Sequence, residues 1–262
     1  MNERNYNQWR SKIIQLLVGL IVPVVVVVLW QVFSNLGYIN QSVFTNPGRI
    51  ANAFEGMIQK GTYFKHVTTS LMRILQGFII GSIIGFVLGS LAVLFKWMGN
   101  LLNLLISILR PIPPISCIPF LILWLGIGES SKIAVIIIGA FWPVLLNTMQ
   151  GIRSADEKLL ELGRAFGKRR ATVLFKIILP SAFPSIFTGL RLGISSAWNC
   201  VVTAEMIAAS VGVGYLISYG RELAQPDVLF VGIASIAVVG LIIDMLVIRL
   251  QSSVVYWVEP QN

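Results

Sequence analysis

Three of the ionisable side chains inside long apolar runs are considered for function, because a charge without compensation is costly there. Arg110 opens the sequence RPIPP, Glu205 is the centre of TAEMI, and Asp244 lies in the last apolar run. For Arg110, a contact with a charged solute and a guanidinium that reaches the lipid headgroups both remain open. For Glu205 the alternatives are a solute contact and a structural ion pair, whereas Asp244 is predicted to pair with Arg249.

Residue patterns for enzyme chemistry are missing from the sequence. The closest approach to a nucleotide-binding loop is Gly163-x3-Gly167-Lys168, which is one residue short of G-x4-G-K-[ST]. The cysteines, Cys117 and Cys200, lie in apolar runs and have neither metal-ligand nor disulfide spacing. No nucleophile with a neighbouring base and no pair of carboxylates stands out either. The sequence therefore predicts no catalytic residue, no metal site and no cofactor on this chain.

The composition is that of an integral membrane protein. The 262 residues are 56% hydrophobic and 12% charged, and the mean hydropathy is +0.81. These values predict a membrane domain built of helices rather than a soluble core. The net charge of +9 does not indicate nucleic acid as a partner, because the interleaved basic and aromatic residues of such modules are missing.

The apolar runs predict the elements that must position these side chains. Six membrane-spanning helices are predicted, at about residues 13–33, 70–95, 101–126, 133–150, 182–209 and 228–247. The third is broken by the prolines of 111–114, which remove backbone donors. The connections at 96–100, 129–132 and 212–227 are predicted as turns or loops. Asn46-Pro47-Gly48 predicts a turn before a short amphipathic helix, and the lone histidine, His66, is predicted at the surface.

Glycines recur every four residues in the second predicted span. This spacing places all of them on one helical face, where they allow another helix to approach closely in lipid. The sequence therefore predicts a helix-packing ridge made of Gly77, Gly81, Gly85 and Gly89.

A charged segment from Ser154 to Pro180 interrupts the apolar runs. Ser154 and Glu157 have the spacing of a capping box, so a helix is predicted to start there. Gly167 is placed to end that helix, and a basic corner follows it. A second short helix is predicted to end at Pro180.

The spacing Glu161-x5-Gly167-x9-Ile177-x-Leu179-Pro180 resembles the "EAA loop" of ABC-importer permeases, with Leu162 and Gly163 where that family has two alanines. The resemblance implies a cytoplasmic coupling helix that docks on an ATPase subunit. The residues it assigns to coupling are Glu161, Arg164, Gly167, Arg169, Ile177, Leu179 and Pro180. A basic amphipathic hairpin on the membrane surface is the alternative interpretation of the segment.

Two further stretches resemble permeases for taurine, aliphatic sulfonates, nitrate or bicarbonate within the same family. They are LRPIPP with the following IPFLILWLGIG, and TAEMIAASVGVGYLI. This resemblance implies a small organic or inorganic oxyanion as the solute. It places the translocation pathway at Arg110, Trp198, Asn199 and Glu205. Permeases for pyrimidine or thiamine precursors are an alternative within the family.

The resemblance implies a complete assembly. Residues 1–262 would form one permease domain of the type I importer fold, working as a homodimer in the inner or plasma membrane. Two ATPase subunits would bind the ATP, and an extracytoplasmic binding protein would deliver the solute. Lys and Arg are more frequent in the segments between spans that such a topology places inside, which predicts both termini in the cytoplasm. An ion-coupled secondary transporter remains the other class of function.

Overall fold

The computed structural model describes residues 3–38, 44–154 and 170–254, and these residues form helices, turns and short connections. The main α-helices are α1 (Glu3–Asn35), α2 (Pro47–Gln59), α3 (Thr62–Leu94), α4 (Lys96–Leu109), α5 (Ile118–Leu125), α6 (Glu129–Arg153), α7 (Leu179–Ala208), α8 (Val213–Glu222) and α9 (Pro226–Val254). A four-residue helical stretch, Arg170–Val173, and a π-helical turn, Leu174–Ile178, precede α7.

Four helical stretches are long and apolar enough to cross a membrane, and the helical membrane class is thereby confirmed. They are Thr62–Leu94, Glu129–Arg153, Phe175–Glu222 and Pro226–Val254. The pair Lys96–Leu109 and Pro114–Leu125, bent by 85°, gives a fifth if it is one broken span. In α1 the described apolar stretch, Ile21–Asn35, is shorter than a span. The predicted total of six spans stays a prediction.

The break predicted in the third apolar run is present. α4 ends at Leu109, and a 3-10 turn at Pro114–Cys117 leads into α5. The turn predicted at 96–100 is wrong, because α4 already starts at Lys96. The extended backbone of Phe95 (φ −117°, ψ 110°) separates α3 from α4 in one residue, so no longer turn is present.

The glycines of α3 all face α6. Their surroundings show how close the two backbones lie: a Cβ atom on Gly81 would be 2.6 Å from the Ile137 carbonyl oxygen, and one on Gly85 would be 2.8 Å from that of Phe141. Gly77 and Gly89 meet the same helix one turn to either side. Backbone contact of this kind replaces the hydrophobic driving force that helices lack in lipid.

α6 and α7 pack against each other through small residues from both sides. A Cβ on Gly139 or Gly151 of α6 would overlap Cys200 or Ala182 of α7, and one on Gly189 of α7 would overlap Asn147. The core beside this contact includes Ile136, Ala140, Ala197 and Val201, all essentially without solvent exposure. α3, α6 and α7 therefore form one tightly packed group.

The helix predicted to end at Pro180 instead continues. The π-helical turn Leu174–Ile178 leads directly into α7, with Pro180 in its first turn. Proline is tolerated at that position, because a first-turn residue needs no intrahelical N–H partner. The helix predicted to start at Ser154 falls in residues 155–169, which lie outside the described part.

The chain divides into two compact units. One comprises Met1–Tyr63 with Ile217–Val231, and the other comprises Phe64–Leu216 with Gly232–Asn262. In the first, the rings of Trp30, Phe44 and Phe230 cluster with centroids 4.8–5.2 Å apart. The predicted turn before α2 is confirmed, since the Asn46 side chain accepts a 2.8 Å hydrogen bond from the Arg49 N–H and caps the helix. Every site residue discussed below belongs to the second unit.

Candidate functional site: a buried ion-pair cluster

The central segment lies largely outside the described residues. Of the residues predicted to couple to an ATPase, Glu161, Arg164, Gly167 and Arg169 belong to 155–169. Ile177 lies in the π-helical turn and Leu179 at the start of α7, both half-buried, while Pro180 is exposed. α6 ends and α7 begins beside this segment, so these two helices lead away from it.

The predicted pathway residues occupy different environments. Arg110 is exposed at the end of α4, and Asn199 is exposed on α7. Trp198 is buried, with its ring against Gly240 of α9. Glu205 is completely buried. No hydrogen bond or ion pair of the described residues joins one of these four side chains to another, and their role in transport stays a prediction.

The structure instead surrounds Glu205 with a cluster centred on Arg73 of α3. The Arg73 guanidinium, only 5% exposed, donates from Nη1 to Glu205 Oε1 at 2.8 Å and to the Val211 carbonyl at 2.6 Å. Its Nε and Nη2 atoms donate to the two carboxylate oxygens of Glu129, both at 2.6 Å. Four bonds therefore fix the guanidinium at the end of the bundle where α6 begins and α7 ends.

The Glu205 carboxylate is satisfied on all sides. It accepts from Ser70 Oγ at 2.7 Å, from Arg73 Nη1, and from the backbone N–H of Gly214 at 3.0 Å. A buried carboxylate is tolerated only when it is paired and hydrogen-bonded in this way. The geometry thus favours the structural ion pair over a solute contact for Glu205 in the conformation seen here.

Ser70 and Glu205, together with His66, also hold the loop at 209–212 through its backbone and that of the residues just after it. Gly212 N–H donates to His66 Nδ1 at 3.0 Å, and Val213 N–H donates to Ser70 Oγ at 2.9 Å. With the Gly214 bond to Glu205, these contacts satisfy N–H groups at the start of α8, which have no partner within the helix. The predicted loop after Gly212 is therefore wrong at its start, where side chains of α3 and α7 cap a helix.

His66 is not a surface residue, contrary to the prediction. It is half-buried, its ring stacks on Tyr215 with centroids 5.9 Å apart, and Nδ1 accepts the Gly212 bond. The sequence could not show this contact, because Gly212 lies 146 residues away from His66.

We expect Gly212→Ala to destabilise the protein. Gly212 has φ +142°, a backbone conformation in which side chains are strained, and an added Cβ would overlap the Glu205 carboxylate. The loss of folding free energy should be about 1–3 kcal/mol, read as a lower thermal midpoint in detergent. Gly128→Ala is the matched control, because a Cβ there meets nothing within 4 Å. Equal midpoints for the two variants would show that position 212 does not require glycine, which would contradict this prediction.

Glu129 and Lys132 complete the cluster from the first turn of α6. Lys132 Nζ lies 2.9 Å from Glu129 Oε1 and 3.4 Å from the Ala208 carbonyl oxygen. The loop predicted at 129–132 is wrong: Gly126, with φ +79°, ends α5, and the helix restarts at Glu129. Two cations and two carboxylates therefore meet here, from three helices.

Arg73 was missed from the sequence although a signal was present. It is an arginine inside an apolar run, as Arg110 is, and the same argument from the cost of a buried charge applies to both. Asp244 is a second correction: it pairs with Arg191 of α7 at 3.1 Å rather than with Arg249. Among the described residues, no three His, Cys, Asp or Glu side chains could share a metal ion.

Comparison with known proteins identifies one family and relatives that cover most of the chain. The family described as "binding-protein-dependent transport system inner membrane component" matches residues 66–256. A Bacillus subtilis protein described as an aliphatic sulfonates transport permease is 38% identical over 239 residues, which cover 91% of this chain and 87% of that one. The bicarbonate transport system permease of Synechococcus elongatus is 31% identical, over 93% of this chain and 91% of that one.

A solved structure supports the fold. The methionine ABC transporter in an inward-facing conformation contains a chain that aligns with a TM-score of 0.62 and 19% identity, covering 76% of this chain and 98% of that one. The overall helix arrangement is therefore shared with a chain of that transporter.

Proposed function

Since the chain belongs to the family of binding-protein-dependent transport system inner membrane components, we propose that it forms the translocation pathway of an ATP-driven importer for a small oxyanion. The observation that carries the proposal is the family match over 66–256, which takes in the central segment, most of α3 and the whole of α6 and α7. The sulfonate and bicarbonate permeases among its relatives support the oxyanion as solute class.

The family name implies a binding protein as a partner in general, and an importer of the ABC type also needs ATPase subunits. The finer proposal is a homodimer of this chain with two ATPase subunits on the cytoplasmic side and one extracytoplasmic binding protein. ATP would be bound by the ATPases, with no cofactor on this chain. Both chain ends would lie in the cytoplasm, as the distribution of Lys and Arg favours.

The packing suggests how motion would pass through the subunit. α6 and α7 flank the central segment at one end and carry Glu129, Lys132 and Glu205 at the other. Because glycine contacts hold these helices backbone to backbone, a displacement at the segment cannot be absorbed by side-chain rearrangement between them. Closure of the ATPases would therefore shift the ion-pair cluster at the opposite end, switching access to the pathway.

We expect Gly167→Trp to abolish solute-stimulated ATP hydrolysis while the protein still inserts and dimerises. A bulky side chain in the segment that resembles the coupling helix would block its docking on an ATPase. The measurement is ATP hydrolysis by the purified assembly, with affinity capture of the tagged chain from its native membrane and mass spectrometry of what accompanies it.

Gly56→Trp in α2 is the matched control, since a Cβ on Gly56 would meet nothing within 4 Å. Unchanged stimulation in Gly167→Trp would contradict the coupling role. Capture of the chain without any ATPase, together with uptake into proteoliposomes that lack ATP, would replace the importer with an ion-coupled transporter.

A further inference from the structure

The carboxylate of Glu129 occupies a position built to hold an oxyanion. Its two oxygens accept from Arg73 Nε and Nη2 at 2.6 Å each, and Oε1 also lies 2.9 Å from Lys132 Nζ. We infer that Arg73 and Lys132 form a binding site for a monovalent oxyanion, and that Glu129 fills this site as a tethered competitor in the conformation seen here. The inference rests on the proposed function and adds the place where the solute is bound.

The arrangement of donors is that of oxyanion recognition. The Nε and Nη2 edge of a guanidinium is a planar fork whose spacing matches two oxygens of a carboxylate, sulfonate or similar group. The lysine ammonium adds a third donor as a compact charge. Any oxyanion with two oxygens about as far apart as those of a carboxylate can make the same contacts.

The cations remain in place when Glu129 leaves. Arg73 keeps its bonds from Nη1 to Glu205 and to the Val211 carbonyl, and Lys132 keeps the Ala208 carbonyl. The side chains of both cations are only 6% exposed, whereas that of Glu129 is 58% exposed. The carboxylate is therefore the one member of the cluster that can exchange with solvent without uncovering the core.

A cleft of about 300 Å³ opens on this site. It is lined by Arg73 and Glu129 together with Thr68, Thr69, Met72 and Gln76. Thr69, Arg73 and Gln76 follow each other at helical spacing on α3, so they form a polar stripe on an apolar helix. Polar side chains along a membrane helix favour a water-filled cavity over lipid as their surroundings, and Gln76 is exposed to this one.

The side chain of Glu129 has room to leave the fork. Glu129 is the first residue of α6, and the sequence Gly126-Ile127-Gly128 precedes it. A Cβ on either of these glycines would meet nothing within 4 Å, so the space beside this connection is open. Rotation about the bonds of the Glu129 side chain would carry the carboxylate out of the fork while α6 stays in place.

The charge balance defines the class of ligand. With Glu129 withdrawn, the two cations face the single carboxylate of Glu205, which leaves one positive charge for the ligand to neutralise. A monoanion such as a sulfonate, nitrate or bicarbonate satisfies this balance, whereas a neutral solute or a cation does not.

The test uses the assembled transporter in an uncharged detergent, with methanesulfonate, nitrate and bicarbonate as probes and chloride as the reference anion. Glu129→Gln removes the competing carboxylate. We therefore expect the probe to raise the thermal midpoint of this variant saturably, with half of the rise at a probe concentration about tenfold lower than in the wild type. A tenfold difference is what one charge-assisted hydrogen bond would give. Glu129→Gln with Lys132→Gln should lose this gain. Glu222→Gln is the control, since it makes the same charge change at an exposed side chain.

The outcomes separate this inference from the proposed function. ATP-driven uptake of a probe, with no gain in Glu129→Gln, would overturn the inference alone. Saturable binding with that gain, but without an ATPase partner, would support the site and overturn the importer. An equal response in Glu222→Gln, or to chloride, would show a general effect of charge and overturn the site.

A lipid phosphate is the other source of an oxyanion at a helix end. Nanodiscs of phosphatidylcholine with and without phosphatidylglycerol distinguish the two sources. A probe response that persists in both supports a site for a free solute. A response that phosphatidylglycerol abolishes would assign the site to a lipid headgroup and overturn the inference.

Discussion

Glu205→Ala is expected to lower the yield of folded permease sharply. The substitution removes one of the two carboxylates that pair with Arg73, a residue that is 5% exposed, and it leaves the Gly214 N–H without its acceptor. Removing one member of a buried ion pair costs about 3–5 kcal/mol, and here it leaves Arg73 and Lys132 to share the single carboxylate of Glu129. The yield of monodisperse protein after solubilisation, together with its thermal midpoint, measures the loss.

Two further variants make this result interpretable. Glu222→Ala removes an exposed carboxylate whose only described ion pair, with Arg221, has an N–O distance of 3.8 Å, so its yield should match the wild type. Glu205→Gln retains the shape and one acceptor oxygen, and should fall between the two. A normal yield of Glu205→Ala with reduced uptake would contradict the structural role and restore the pathway role predicted from the sequence.

The sequence was sufficient for those parts of the fold that depend on local spacing. Apolar runs predicted the long helices, the prolines at 111–114 predicted the break between α4 and α5, and Asn46-Pro47-Gly48 predicted the start of α2. Each of these features is set by residues within a few positions of one another. The connections were predicted less well, because a single extended residue, such as Phe95, separates two helices where the composition indicated a longer turn.

The ion-pair cluster could not be derived in the same way. Ser70 and Arg73 lie 135 and 132 residues from Glu205, and the chain offers several other partners for each. The cost of burying a charge identifies Arg73 and Glu205 as groups that need an oppositely charged partner. Only the packing of α3 on α6 and α7 decides which groups become partners. The same reasoning explains Asp244, whose nearest arginine in sequence is not its partner.

Gly81→Leu is expected to prevent close packing of α3 on α6 and thus accumulation of folded protein. A Cβ on Gly81 would lie 2.6 Å from the Ile137 carbonyl oxygen and 3.0 Å from the Ala140 Cβ. The carbonyl belongs to the backbone of α6 and cannot rotate away, so the helices must separate. Overpacking costs about 1–3 kcal/mol or more, which exceeds the gain of about 1 kcal/mol when glycine leaves a helix interior.

A series at this position distinguishes packing from other effects of the substitution. Gly81→Ala already introduces the clashing atom and should lower the thermal midpoint, whereas Gly81→Leu should eliminate monodisperse protein. Gly56→Leu in α2 makes the same change where a Cβ would meet nothing within 4 Å, so its midpoint should not fall below that of the wild type. A wild-type midpoint for Gly81→Leu would mean that α3 and α6 tolerate separation. The rigid connection between the central segment and the ion-pair cluster would then lose its physical basis, since that connection depends on backbone contact among α3, α6 and α7.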